Sequence, residues 1–278
     1  LLGRSASNVL QYGVQLRHLE RYLGETPTVA HLDDDMLAGF LQWMLDGRDR
    51  GKPRSAETVN KARAHIVALW SFAAKLGYVD RWPTVGDIPV AETSPVAWTV
   101  DELTRLFAAC RAQTGKIGGI KASDWWVAIH QWWMTGGERT SATLAMRQEW
   151  FDLDRAVAVV HGKVRKTRTT MAYSLSPQCV AALRRMWEPQ RELVFPWDGS
   201  RGKFYYRYHL LLADAGLPSR NAGPQKMRRA FASHLAAGGG DPTSALHHSS
   251  RSVTTRHYLD KRITGASQHW KLLPAFTK

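Results

Sequence analysis

Tyr258 follows a run rich in hydrogen-bonding groups: His247-His248-Ser249-Ser250, then Thr254-Thr255-Arg256-His257. Three upstream segments concentrate groups of the same kind. Thr135-Gly136-Gly137-Glu138-Arg139-Thr140-Ser141 is a glycine turn carrying an arginine, and Lys163-Val164-Arg165-Lys166-Thr167-Arg168 is a basic run between two strand-like stretches. Pro224-Gln225-Lys226-Met227-Arg228-Arg229 opens an apolar helix. These residue types suit chemistry at a phosphate. A guanidinium presents a planar fork that holds two phosphate oxygens and keeps its charge. A phenol of pKa about 10 is phenolate in only about one molecule in a thousand at neutral pH, so it attacks only where a proton is removed and cations surround it.

The charge distribution agrees. Lys and Arg number 38 against 24 Asp and Glu, a net charge of +14. Residues 1–97 hold 11 basic and 11 acidic residues, whereas residues 98–278 hold 27 and 13. The excess therefore lies wholly in the C-terminal two-thirds and calls for a polyanionic partner, most often nucleic acid. Cys110 and Cys179 stand in unrelated contexts, which fits a reducing compartment and offers no disulfide framework. No stretch approaches about 18 apolar residues and no charged-then-apolar leader opens the chain, so the expectation is a soluble, cytoplasmic protein without a membrane partner.

The elements that must position these groups are mostly helical. Helices are predicted over Ala6–Leu23, from Asp33-Asp34-Asp35 through Leu45, and from a Ser55 cap to Leu76, the last with Val59, Ala62, Ile66, Leu69, Ala73 and Leu76 on one apolar face. Between the second and third lies Arg48-Asp49-Arg50-Gly51-Lys52-Pro53-Arg54, a basic loop feeding a helix N-terminus where phosphates bind well. Arg48, Arg50, Lys52, Arg54, Lys61 and Arg63 are candidate backbone contacts to nucleic acid; an ordinary solvated loop is the alternative. Pro83, Pro89 and Pro95 mark a linker, placed at 86–97 between domains at 1–85 and 98–278. Thr99-Val100-Asp101-Glu102 is a capping box that starts the second domain. Asp124–Met134 reads as an apolar helix whose four tryptophans serve the core. Residues 156–164 and 169–175 read as a hairpin with basic residues about its turn, and helices resume from Ser176. The fold class is mainly α with a small β-sheet.

The ordered motifs resemble those of the tyrosine recombinases, the phage-integrase family. Met227-Arg228-Arg229-Ala230-Phe231-Ala232-Ser233-His234-Leu235 follows the family's Leu-Arg-x-x-Phe-Ala-x-His-Leu, and Leu246-His247-His248-Ser249-Ser250 resembles its Leu-Gly-His-Ser-Ser. The Gly137-Glu138-Arg139 turn is similar to its first arginine box. The resemblance implies an N-terminal helical core-binding domain and an α+β catalytic domain that clamp double-stranded DNA. It implies a homo-tetramer and a Holliday junction. It makes Tyr258 the nucleophile forming a 3′-phosphotyrosine, and Arg139 and Arg228 the clamps on the non-bridging oxygens. Lys166 becomes the general acid, with Lys163 as the alternative, and His248 assists. Lys163, Arg165 and Arg168 are further candidate DNA contacts on the hairpin. No cofactor or metal is implied, because the covalent ester stores the bond energy.

The chain departs from the pattern in three places. Gln225 stands where histidine is usual, and a carboxamide cannot take a proton at neutral pH; loss of a general base costs about 10²–10⁴ in rate. Ala142 stands where an acidic residue usually follows the first arginine. Arg228 to His248 is about one helical turn shorter than usual and His248 to Tyr258 one residue longer. Two rivals stay open: a recombinase-fold DNA-binding protein without the chemistry, and a type IB topoisomerase-like enzyme. The sequence also places Trp270, Leu272, Leu273 and Phe276 in a tail, 264–278, suited to docking on a neighbouring copy or packing in cis.

Overall fold

The computed structural model describes residues 6–219 and 222–265; the tail assigned to docking lies outside them beyond Gly265. The chain divides into two compact units, Leu1–Glu92 and Thr93–Lys278.

The first unit holds α1 (Ala6–Leu23), α2 (Asp34–Leu45) and α3 (Ala56–Lys75). The caps are those the sequence announces. Asp33 accepts from the Met36 amide and Ser55 from the Thr58 amide, each replacing an intrahelical bond that the first turn lacks. On α3 the buried face is Val59, Ala62, Ile66, Trp70 and Ala73, and the first four pack with Leu19, Leu37 and Phe40. Leu76, expected on that face, caps the helix and is exposed; Leu69, also expected there, is half-buried, and Trp70 takes its core place because 3.6 residues per turn carries the stripe from 66 to 70. The chain after α3 folds back along it. Asn60 exchanges hydrogen bonds with the Ile88 backbone, and Arg63 donates to Val85 O and pairs with Asp87.

The second unit starts inside the segment read as linker, since Ala97 and Trp98 are fully buried in its core. Its order is α4 (Val100–Ala112), β1 (Lys116–Ile117), β2 (Ile120–Lys121), α5 (Ala122–Gly136), α6 (Thr140–Thr143), β3 (Phe151–Asp152), β4 (Val157–Val160), β5 (Met171–Ser174), α7 (Pro177–Met186), α8 (Arg201–Asp214), α9 (Gln225–Ala237), α10 (Pro242–Leu246), α11 (Arg251–Tyr258) and α12 (Lys261–Thr264). The Thr99–Glu102 capping box forms as read. Helix α5 is the centre, packed by α4, α7 and α9. Trp125, Trp126, Trp132 and Trp133 are all buried along it, so these tryptophans are core. Burying a large aromatic contributes on the order of 2–3 kcal/mol, enough to fix the helix that ends at the arginine turn.

The described residues are mainly α, with two small antiparallel sheets among them in place of the single one expected. One is the β1–β2 hairpin; the other has the order β3-β4-β5, with Val157 opposite Ser174 and Val160 opposite Met171. Strand β4 stops at Val160 rather than running to Val164. At Gly162 the chain turns so tightly that a Cβ would lie 2.3 Å from Arg168 O. Among the described residues no helix is long and apolar enough to cross a membrane.

Candidate active site

Helix α5 ends at Gly137, whose φ of 57° is left-handed. A side chain there would meet Phe231 at 2.5 Å and Leu246 at 2.8 Å, so glycine answers both the backbone and the packing. The turn delivers Arg139 to the start of α6. Arg139 is half-buried, and its guanidinium has no hydrogen-bond partner among the described residues.

Arg228, on α9, is 2% exposed. One nitrogen donates to Gly137 O, and Nη2 donates to Leu246 O at 3.1 Å and approaches His248 Nε2 at 3.3 Å. This side chain thereby joins the arginine turn, the end of α10 and the histidine motif. A guanidinium only donates, so His248 Nε2 accepts; Nδ1 then carries the proton and donates to Thr254 Oγ1 at 2.9 Å. The imidazole is pushed down to about 4, first by burial and then by the Arg228 and Arg139 charges, so it is neutral at pH 7.

Tyr258 closes the group. Its ring lies 4.5 Å from that of His248 and 5.4 Å from the Arg228 guanidinium carbon, and Gln225 Nε2 donates to its hydroxyl at 3.0 Å. The ring is buried against Ala232 and Leu246, with Phe231 and Leu259 beside it. The backbone beyond it is pinned: Ser233 Oγ donates to Tyr258 O and accepts from Asp260 N. Asp260 accepts from the Ala97 amide and pairs with Arg262. Burial alone would raise the Asp260 pKa, but the Arg262 and Ala97 hydrogen bonds overcome it and hold the carboxyl at about 2.

Gln225, Arg228, His248 and Tyr258 thus meet in one place, with Arg139 near enough to act on the charge of Arg228 and His248. Lys166 makes no contact with them; it is exposed on the loop between β4 and β5. Lys163 is also exposed and lies over the Trp150 ring at 5.3 Å. Arg168 is exposed in left-handed backbone.

Arg165 requires correction as a DNA contact. It is 4% exposed, and its guanidinium is taken by Glu138 Oε1 at 2.6 Å and Thr169 O at 2.7 Å. A buried cation already paired with a carboxylate is not free for a phosphate. In the first unit Arg48, Arg50, Lys52 and Lys61 are exposed. Arg54 is held by Asp49, and Arg63 by Val85 and Asp87.

Glu138 was not singled out in the sequence. It is 3% exposed and receives Arg165 Nε and Tyr173 Oη on one oxygen, each at 2.6 Å, and the Arg139 amide on the other at 3.1 Å. Burial would raise its pKa, yet the Tyr173 hydrogen bond and the Arg165 charge bring it below the ordinary range, so it is ionised. Ala142, at the usual acidic position, is buried, and among the described residues the carboxylate touching this turn comes from residue 138. The available signal was a lone acid between Asp124 and Glu149, standing directly beside an arginine. His247 takes the place of a glycine at φ 52°; burial and then the Arg165 charge lower its pKa, with Glu138 opposing.

Among solved structures, the chain superposes on a lambda integrase dimer bound to a COC′ core site with a TM-score of 0.72 at 15% identity, covering 96% of this chain and 93% of that one. It superposes on a Tn1549 transposon integrase in complex with circular intermediate DNA with a TM-score of 0.70 at 15% identity, covering 93% and 91%. The chain has the integrase fold. No protein-family model and no curated protein sequence matches it. The integrase fold at this level of identity gives architecture over nearly the whole length, and the chemistry has to be argued from the side chains.

Proposed function

We propose that this chain is a site-specific DNA recombinase that cuts and rejoins DNA through Tyr258. The observation that carries the reading is the Tyr258 hydroxyl, hydrogen-bonded to Gln225 and set beside buried Arg228 and neutral, half-buried His248 in one cluster. Both integrases named above were solved on DNA, which is the polyanion the charge excess calls for.

In this mechanism the Tyr258 oxygen bonds to the scissile phosphorus, the bond to the 5′ oxygen breaks, and a 3′-phosphotyrosine forms. Arg139 and Arg228 hold the non-bridging oxygens, where one preplaced donor is worth about 10²–10³ in rate. Lys166 gives its proton to the departing 5′ oxygen. Gln225 donates to the phenol oxygen and stabilises it as negative charge builds, but it has no site for the proton. The proton passes to His248 Nε2, which is free to take it once the Arg228 guanidinium turns from it to the phosphate, whose charge also offsets the two guanidiniums. Arg48, Arg50 and Lys52 of the first unit contact the DNA backbone, and a tetramer exchanges strands through a Holliday junction.

The test is a nicked suicide duplex from which the cleaved strand end diffuses away. A denaturation-resistant protein–DNA adduct is expected, absent in Tyr258→Phe. Gln225, which donates to the phenol in place of a base, supports a second reading, a DNA-binding protein without cleavage. Tight binding with no adduct on any duplex would establish that reading instead.

A further inference from the structure

We infer that Glu138 and Arg165 form a positioning pair that couples the arginine turn to the loop carrying Lys166. The inference rests on the recombinase reading, and it concerns how two cations on unrelated segments are brought to one phosphate.

The Lys166 loop, residues 161–170, has little of its own to hold it still. Short internal bonds shape it: Arg165 N to Gly162 O at 3.1 Å, Arg168 N to Arg165 O at 3.0 Å, and Gly162 N to Thr170 Oγ1 at 3.0 Å. Lys163, Lys166, Thr167 and Arg168 all face solvent. The buried residue of the run is Arg165, one position before Lys166, and its side chain leaves the loop for the Glu138 carboxylate. Glu138 sits one position before Arg139 and accepts that residue's amide. A single carboxylate therefore ties the residue adjoining Lys166 to the residue adjoining Arg139. Tyr173, on β5, donates to the same oxygen as Arg165 and braces the pair against the sheet.

The geometry costs something that a solvated salt bridge would not. Both side chains are almost fully out of water, at 2% and 1% exposure, so the pair forms only where its partners are already well placed. A buried pair has few arrangements open to it. A hairpin tip carrying a general acid needs that restriction, because proton transfer requires hydrogen-bond reach to the leaving oxygen. No carboxylate is available at Ala142 to organise the turn, and Glu138 does so while reaching the hairpin as well.

The test uses a double variant, Glu138→Gln with Arg165→Met, which removes both charges together and leaves neither buried alone. Its cleavage is followed on two duplexes, one normal and one with sulfur replacing the bridging 5′ oxygen. A thiol has a pKa of about 8.5 and leaves unprotonated, whereas an oxygen leaving group, far more basic as its anion, needs an acid. On the oxygen duplex the double variant is expected to slow by about 10²-fold, as Lys166→Ala should, in line with loss of a general acid. On the sulfur duplex both variants should recover to within about threefold of wild type, because the step that Lys166 serves is no longer required. A structural defect would slow both duplexes alike.

Slow cleavage of both duplexes by the double variant, with Lys166→Ala rescued, overturns the coupling. So does full activity on the oxygen duplex. Should the double variant not fold, Arg165→Met alone is read the same way, since Glu138 can then take up a proton and stay buried as a neutral acid. Failure of the wild type on either duplex would instead overturn the recombinase reading, and failure of sulfur to rescue Lys166→Ala would remove Lys166 as the acid; this inference falls with either.

Discussion

The two halves of the candidate site are built on different principles. Around Tyr258, four side chains from α9, α11 and the stretch after α10 touch one another directly, and Arg228 bonds to the backbone of two further segments. Around Lys166 no such contact exists; a loop is held through a neighbouring residue by one buried ion pair. The first half is positioned by helix packing, which keeps side chains in register at fixed spacing. The second is positioned by charge pairing across 27 residues of sequence. Under the recombinase reading, such a site is sturdy where the covalent bond would form and hangs on one buried ion pair where the proton would be delivered.

The largest expected effect falls on the tethered half. Glu138→Gln leaves the Arg165 guanidinium buried without its counter-ion, and urea unfolding should show a loss of about 3–5 kcal/mol. Tyr173→Phe, which keeps the ion pair, should cost about 1 kcal/mol. Equal losses in the two variants would mean that the carboxylate charge is not what matters there.

The packed half is sharpened by Gln225→His. An imidazole at that position can accept the phenolic proton, so adduct formation should accelerate about 10²-fold and its pH profile should gain an ionisation near neutrality. An unchanged rate would take residue 225 out of the proton path.

Acid should separate the halves next. The His248 pKa is lowered in the fold, so the unfolded chain binds the extra proton first, and stability is lost as pH falls from the free imidazole value of 6.5 towards about 4. Glu138 is also depressed, and its contribution is lost only at lower pH, below the ordinary carboxylate value of 4.5. In thermal melts His248→Asn should lessen the first decline, to which His130, pushed down to about 4 by burial, also contributes, and leave the second. If both declines persist unchanged, another group carries the first.

The smallest effect is expected at His247. Its left-handed backbone, φ 52° and ψ 47°, is a conformation that glycine adopts without a Cβ clash. His247→Gly should stabilise the protein by up to about 1 kcal/mol in unfolding measurements. Destabilisation would show that contacts of the imidazole outweigh the strain.

The division between what could be read from the sequence and what could not follows the same line. Helix starts were legible because Asp33, Ser55 and Thr99 cap locally, within three residues of their partners. The packed half was legible because Arg228, His248 and Tyr258 sit in short motifs on or beside helices. Arg165 was misjudged because a charge run on a turn looks the same whether its members face water or a carboxylate 27 residues away. Glu138 was missed for the matching reason. Strands of two residues, such as β1 and β3, carry too little alternation to register as a pattern.

The clamp that follows Tyr258 has a consequence for any complex of several copies. Ser233 and Asp260 fasten the chain just past the phenol to the same fold that supplies Arg228 and Gln225. Under the recombinase reading, each subunit in such a complex would use its own phenol beside its own guanidinium and borrow no nucleophile. Mixing a copy that lacks the tyrosine with one that lacks the guanidinium would accordingly restore nothing.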